Sequence, residues 1–249
     1  GRQLPRILRV IFQERQQLNT ILTTQRYDRI ISDSRFGCYS KAVPSVMLTH
    51  QLQPIFGLPL VGGIYRSNMQ NNFGEFWVPD YAPPMNLSGA LSTLSGYKTV
   101  SYIGPLSRLS NKPTTSEQVY DYGCLLSGPE PQRTYFEEML INQLSRGAGH
   151  LWIVAGRPGQ SERSLIVDSP TTKIERISFS PAALTSLLLR QSKKIICRSG
   201  YSTLMDLDKL GIQDILLVPT PGQTEQIYLA KRWAELGRAR GVRQEDCTL

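Results

Sequence analysis

Apolar positions recur at helical spacing over residues 4–22, where Leu4, Ile7, Leu8, Ile11, Phe12, Leu18, Ile21 and Leu22 alternate with a polar side carrying Arg6, Arg9, Glu14 and Arg15. The pattern predicts an amphipathic helix covering a domain, with a membrane-surface helix as the alternative. From residue 29 the period changes. Short apolar runs at 29–32, 45–49, 76–78 and 100–103 stop in Asp33, His50-Gln51, Pro79-Asp80 and Gly104-Pro105. Strand-sized runs ending in polar or turn-forming residues predict a parallel sheet with its working groups at the strands' carboxyl ends. A polar, Pro/Thr-rich stretch at 111–116 predicts an interdomain linker. Beyond it, strands at 123–126, 151–155, 164–167, 174–177, 194–197 and 214–218 are interleaved with helices at 132–145, 181–190, 202–210 and 223–236. Ser180-Pro181 reads as a cap followed by proline at the first helical position. Strands and helices alternating through short loops predict a doubly wound α/β domain.

Composition narrows the class. At 40% hydrophobic and 19% charged residues the chain can bury a core, which excludes a disordered protein. No apolar run approaches the ~20 residues that span a bilayer, and no secretory leader opens the chain. The expectation is a soluble cytoplasmic protein. Cys38, Cys124, Cys197 and Cys247 lie far apart and only His50 and His150 supply imidazoles. That spacing suits neither a metal site nor a disulfide framework, so neither metal nor cofactor is expected. The net charge is +8, with 11 Lys+Arg against 5 Asp+Glu over residues 1–109 and 17 against 15 over the remainder. Such a surface attracts nucleic acid, an anionic membrane or an anionic small substrate. Without an aromatic-basic surface or a nucleic-acid module, nucleic acid ranks last.

Three strand-to-helix loops carry candidate chemistry. Leu126-Ser127-Gly128-Pro129-Glu130-Pro131-Gln132-Arg133 combines small residues with an arginine in a first helical turn, a pattern that suits a phosphate as well as an ordinary turn. Arg198-Ser199-Gly200-Tyr201-Ser202-Thr203-Leu204-Met205-Asp206 offers hydroxyls and helix N-terminal amides, with Asp206 one turn further along. A carboxylate there reads as a ribose acceptor or as a first-turn acid favoured by the helix dipole. Pro219-Thr220-Pro221-Gly222-Gln223-Thr224-Glu225-Gln226 presents carboxylate and amide groups at a helix start, as a sugar-reading loop or a capping turn.

In their order and spacing, the last two segments and Leu229-Ala230 resemble the C-terminal nucleotide-sugar-binding domain of family 28 glycosyltransferases. That family includes the enzyme adding N-acetylglucosamine to the lipid-linked peptidoglycan precursor. The segments 32–37, 44–51 and 126–133 are similar to an uncharacterised bacterial branch of glycosyltransferase-like proteins. The resemblance implies a metal-independent GT-B architecture of two Rossmann-like, doubly wound domains facing a cleft. An incomplete acceptor-side domain at 1–110 and a linker at 111–122 would precede the donor-binding domain at 123–249. By position, Ser127, Gly128 and Arg133 would lie by the diphosphate, and Arg198, Ser199, Gly200, Ser202 and Thr203 at a second phosphate-facing loop. Asp206 would bind the ribose, Ser178-Phe179 the uracil, and Gln223, Glu225 and Gln226 the donor sugar. Two departures stand out. The family's general-base histidine, on a Gly-rich loop opening the N-terminal domain, has no counterpart here, so His50 or Asp33 is the expected base. Glu225 stands where the peptidoglycan enzyme has an amide, which points away from N-acetylglucosamine.

The implied reaction moves a hexosyl group from a UDP-sugar to an acceptor, with helix N-termini and Arg133 or Arg198 stabilising the leaving diphosphate. The basic N-terminal half suits a lipid-phosphate acceptor or an anionic membrane surface. Alternatives are a sugar-nucleotide epimerase or hydrolase of the same fold, and a nucleotide-sugar-binding protein without turnover.

Overall fold

Two parallel sheets organise the chain, one in each of two compact units, Gly1–Pro105 and Leu106–Leu249. The computed structural model describes residues 4–53, 59–93, 96–97, 99–109, 118–157, 159 and 162–249; the expected linker at 111–116 lies outside them. The first unit contains α1 (Leu4–Thr24), β1 (Ile30–Asp33), β2 (Ser45–Leu48), α2 (Pro59–Asn72), β3 (Glu75–Val78) and β4 (Val100–Tyr102). Its strands pair in parallel in the order β1-β2-β3-β4. Met47, Leu52, Met69, Phe73, Phe76 and Val78 form its buried core. Helix α2 escapes the sequence pattern because Gly62-Gly63 and a polar second half interrupt its apolar spacing.

Helix α1 forms where expected, with Ile11, Leu18 and Leu22 of its apolar stripe half-buried. Leu8, Val10, Phe12 and Ile21 are exposed. Polar groups add contacts: Glu14 accepts the Gly37 N–H at 3.2 Å, and the Arg15 guanidinium lies 3.8 Å above the Tyr39 ring while donating to the Tyr39 carbonyl. The expected apolar stripe is thus divided, with Ile11, Leu18 and Leu22 half-buried and Leu8, Phe12 and Ile21 exposed.

The second unit contains β5 (Tyr120–Leu125), α3 (Gln132–Leu144), β6 (Gly149–Val154), β7 (Arg163–Asp168), β8 (Thr172–Ile177), α4 (Ala182–Arg190), β9 (Ser192–Cys197), α5 (Tyr201–Leu210), β10 (Ile215–Leu217), α6 (Thr224–Glu235) and β11 (Arg240–Gly241). Strand order is β11-β10-β9-β5-β6-β8-β7, parallel throughout except that β7 runs antiparallel to β8. Strand β5 starts at Tyr120, inside the expected linker and three residues before the expected strand. At α4, Pro181 itself takes the N-cap position in extended conformation, and Ser180 makes no cap bond but accepts the Thr185 hydroxyl at 2.9 Å.

This order fixes where a ligand fits. From β5 the chain winds one way to β6 and β8, then crosses back and winds the other way through β9, β10 and β11. The loops after β5 and β9 therefore diverge to opposite sides of the sheet and leave a crevice at their carboxyl ends. Beneath it, Leu151, Ile153, Cys124, Ile196 and Leu140 are fully buried.

Glycine is required at position 123 by packing. A Cβ there would sit 2.3 Å from the Trp152 ring, which is fully buried and donates through Nε1 to Ser192 Oγ at 2.8 Å. The Gly123→Ala substitution is expected to cost about 1–3 kcal/mol by overpacking, read as a lowered urea midpoint at constant slope. An unchanged midpoint would show that the Trp152 ring can move aside.

Candidate functional site at the carboxyl edge of the second sheet

The β5–α3 loop turns at Gly128, whose φ of +101° lies where side-chain-bearing residues rarely go. The expected phosphate ligand Arg133 is committed within the protein. Its guanidinium donates to Glu130 Oε1 through Nε (3.1 Å) and Nη2 (2.5 Å) and to the Gly156 carbonyl through Nη1 (2.5 Å). Glu130 also accepts the Thr134 N–H (3.2 Å) and hydroxyl (2.8 Å). An internal carboxylate thus occupies the α3 N-terminus, where the sequence predicts a phosphate. Arg133, followed by Thr134, holds that carboxyl down at about 2, so it stays anionic at neutral pH.

In the β9–α5 loop, Arg198 is fully buried and serves the fold rather than a ligand. Nη1 donates to the Val218 (3.0 Å) and Pro219 (3.2 Å) carbonyls, and Nη2 donates to the Gln132 carbonyl (3.1 Å) and Gln244 Oε1 (2.7 Å). Its guanidinium stacks 3.9 Å from the Phe136 ring. Burial lowers its pKa to about 10, which leaves it charged at neutral pH. These bonds commit both Nη atoms of Arg198 to neighbouring loops, and Nε alone is left without a partner. Ser199 is also buried and donates to the Gln226 carbonyl at 2.7 Å. At the start of α5, Gly200 is the N-cap and makes no side-chain cap bond; Ser202 is exposed and Thr203 half-buried.

Asp206 lies on the second turn of α5, 8% exposed, with Oδ1 accepting the Ser107 hydroxyl at 2.5 Å. Burial raises its pKa despite the opposing effects of Ser107 and of Arg108, whose backbone N–H also donates to it. In the β10–α6 loop, Gln226 accepts the Thr220 N–H at 2.9 Å and donates to Gln223 Oε1 at 2.7 Å. Both ends of its amide thus make bonds inside the loop, where the family resemblance implied sugar reading. Glu225 is half-buried in the first turn of α6. Ser178 is buried, and its backbone carbonyl accepts the Arg157 N–H at 2.8 Å; Phe179 beside it is exposed.

Two of the expected donor residues, Ser178 and Arg198, belong to a group of unsatisfied polar atoms whose other members sequence reasoning did not single out. Gln132 Oε1, Arg157 Nε, Ser178 Oγ, Arg198 Nε and Thr220 Oγ1 are buried without a hydrogen-bond partner. Gln132 opens α3, and the other four follow the last residues of β6, β8, β9 and β10 by one to three positions. Unpaired buried polar atoms are uncommon, and each costs about 1–3 kcal/mol. Their gathering at one sheet edge marks that edge as a place where a polar ligand would supply what the chain does not. No sequence signal singles the others out, because a serine or threonine after a strand is usually a cap.

A cavity of about 520 Å³ lies beside the β10–α6 loop, lined by Pro219–Gly222, one side of α6 and Gly241–Glu245. Apart from Thr220, none of the residues of this edge described above as unpaired lines it, and none of the expected donor residues does. In the first unit, Asp33 ends β1 and is exposed, while His50 follows β2 and is half-buried; parallel pairing of β1 with β2 brings both to the carboxyl edge of that sheet. Among the described residues, no three His, Cys, Asp or Glu side chains gather to hold a metal ion.

A parallel sheet in each of two units, with the crevice of the second at its switch point, defines the GT-B class. Residues 138–249 match the glycosyltransferase family 28 C-terminal domain. Solved structures share the fold at low identity. A glycotransferase of kitacinnamycin is 14% identical with a TM-score of 0.66, covering 97% of this chain and 70% of its own. The spinosyn rhamnosyltransferase SpnG, complexed with thymidine diphosphate, gives 16% and 0.60 with 97% and 68% covered. MurG from Acinetobacter baumannii gives 16% and 0.57 with 97% and 66% covered. No curated protein matches the chain.

Replacing Arg198 with methionine is expected to lower stability by about 3 kcal/mol or more, because several buried carbonyls lose their donor at once. Urea unfolding reads this directly. Unchanged stability with weakened nucleotide binding would return Arg198 to the ligand.

Proposed function

We propose that the chain binds a nucleotide sugar, a UDP-sugar in particular, at the carboxyl edge of its second sheet and transfers the hexosyl group to an acceptor without a metal. The observation that carries this reading is the set of unpaired buried polar atoms along the carboxyl edge of the sheet that holds the switch point. Asp206 supports it independently. A carboxylate kept buried with its pKa raised by desolvation works against folding, and such groups concentrate at functional sites. In this reading Asp206 exchanges the Ser107 hydroxyl for ribose hydroxyls, and the diphosphate lies at the α5 N-terminus by Gly200, Ser202 and Thr203. Glu225 faces the sugar, and Phe179 stacks on the base next to Ser178. Gly128 and Ser127 give the phosphates room. Arg133 contributes by holding Glu130 in place. His50 is the acceptor's general base, with Asp33 as the other carboxyl-edge candidate.

Titration calorimetry with UDP, UDP-N-acetylglucosamine, UDP-glucose, thymidine diphosphate and GDP tests the donor assignment. Uridine nucleotides are expected to bind and GDP not. Asp206→Asn is expected to weaken UDP about tenfold or more while melting no lower than wild type at pH 7. The sign follows from the raised folded pKa: ionising Asp206 removes stability as pH rises through that value, and asparagine is spared the loss. The melting gap should therefore close as the pH falls. Failure of every nucleotide to bind the folded chain would remove the reading.

For the acceptor side we infer a lipid-linked substrate met at an anionic membrane surface. Helix α1 exposes Leu8, Phe12 and Ile21 on a helix that also carries Arg6 and Arg9, an arrangement that suits an interfacial helix. No helix among the described residues is long and apolar enough to cross a membrane. Co-sedimentation with vesicles containing anionic lipid should exceed that with neutral vesicles, and Leu8→Ser/Phe12→Ser should abolish it. Equal recovery in both pellets would overturn the membrane assignment.

A further inference from the structure

Thr220 is held on every side except its hydroxyl. Its N–H donates to Gln226 Oε1 at 2.9 Å, and its carbonyl accepts the Gln223 N–H at 3.1 Å. Gln226 is anchored in turn, since its Nε2 donates to Gln223 Oε1 and its carbonyl accepts the Ser199 hydroxyl. The residue is 2% exposed, so the side chain has little freedom, yet Oγ1 has no hydrogen-bond partner. That oxygen points across to the β5–α3 loop, lying 3.9 Å from where a Cβ on Gly128 would stand. Gly128 has no side chain to offer it, and its φ of +101° keeps the loop open there.

A threonine hydroxyl costs free energy when buried unpaired, and valine fills the same volume without that cost. The loop nevertheless carries threonine, fixes it through three neighbouring side chains, and aims it at the one position of the facing loop that lacks a side chain. We propose that Thr220 is a further donor-binding residue, its hydroxyl donating to a phosphate oxygen of a nucleoside diphosphate that enters between the β5–α3 and β10–α6 loops. Gln226, Gln223 and Ser199 are positioning residues for it. This inference rests on the donor site proposed above and deepens it. It also accounts for the α3 N-terminus, where Glu130 already supplies the anion. The diphosphate's neutral donors are then Thr220 and the α5 end, and Arg198 and Arg133 remain with their carbonyl and carboxylate partners.

The test compares UDP binding by wild type, Thr220→Val and Thr220→Ser, with melting temperatures alongside. Thr220→Val is expected to weaken UDP about tenfold or more, the effect of losing a hydrogen bond to a charged group. Its melting temperature should equal or exceed that of wild type, because the unpaired hydroxyl is gone. Thr220→Ser keeps the hydroxyl and should restore most of the affinity. Wild-type affinity in Thr220→Val overturns the inference while leaving the donor site standing, provided Asp206→Asn still weakens UDP. A loss shared by both Thr220 variants with a lowered melting temperature assigns Thr220 to the fold and overturns it as well. Absence of UDP binding by wild type removes the donor site and Thr220's role together.

Discussion

One buried guanidinium ties the site together. Arg198 leaves β9 and meets the Val218 and Pro219 carbonyls after β10, the Gln132 carbonyl opening α3, and Gln244 beyond β11. Three separate chain reversals are thereby held in one arrangement by a cation whose described partners include no carboxylate. Carbonyl dipoles and the face of Phe136 stabilise the charge in place of a carboxylate. Backbone carbonyls left without their donor would each carry a desolvation cost, so the loops around the switch-point crevice are set by this one side chain.

Around that fixed frame the chain leaves specific polar atoms unmet. Thr220 Oγ1, Ser178 Oγ and Gln132 Oε1 are buried without partners, and Asp206 is held ionisable in a setting that raises its pKa. Other buried polar groups of the unit are paired, Glu137 on α3 with both Arg157 (3.1 Å) and Arg176 (2.5 Å) and Trp152 with Ser192, whereas Trp233 Nε1 on α6 is also buried without a hydrogen-bond partner. The contrast is one of concentration: five of the unpaired atoms fall along one sheet edge, as expected of a binding surface. The same contrast separates the two anion positions, since α3 carries its own carboxylate at Glu130 and α5 begins at Gly200 with no side-chain cap.

The alternation of strands and helices beyond residue 120 was legible because each buried strand is a short β-branched or aliphatic run and each helix keeps its period. Resemblance in the 198–206 and 219–226 segments also located the relevant loops. What it could not show is which side chains in those loops face inward. Arg198, Ser199 and Gln226 match a binding motif by position yet spend their polar groups on carbonyls and neighbouring loop atoms. Helix α1 makes a related point: its spacing marks one apolar stripe, of which Ile11, Leu18 and Leu22 are half-buried beside Glu14 and Arg15 while Phe12 remains exposed.

By itself the sequence determined the fold class, the four helices and six of the seven strands among the described residues of the second unit and the loops in which chemistry could sit, because burial period and turn residues are local properties of the chain. Only the tertiary structure decided the strand order β11-β10-β9-β5-β6-β8-β7, and with it the crevice between β5 and β9. It alone decided that Arg198 is a strut, that Glu130 fills the α3 N-terminus and that the Thr220 hydroxyl is unpaired opposite Gly128. The physical reason is that a hydrogen-bond partner is set by distance and direction between segments far apart in sequence: Arg198 and Gln132 are separated by 66 positions. Local pattern carries no information about such a pair until packing has brought its two segments together.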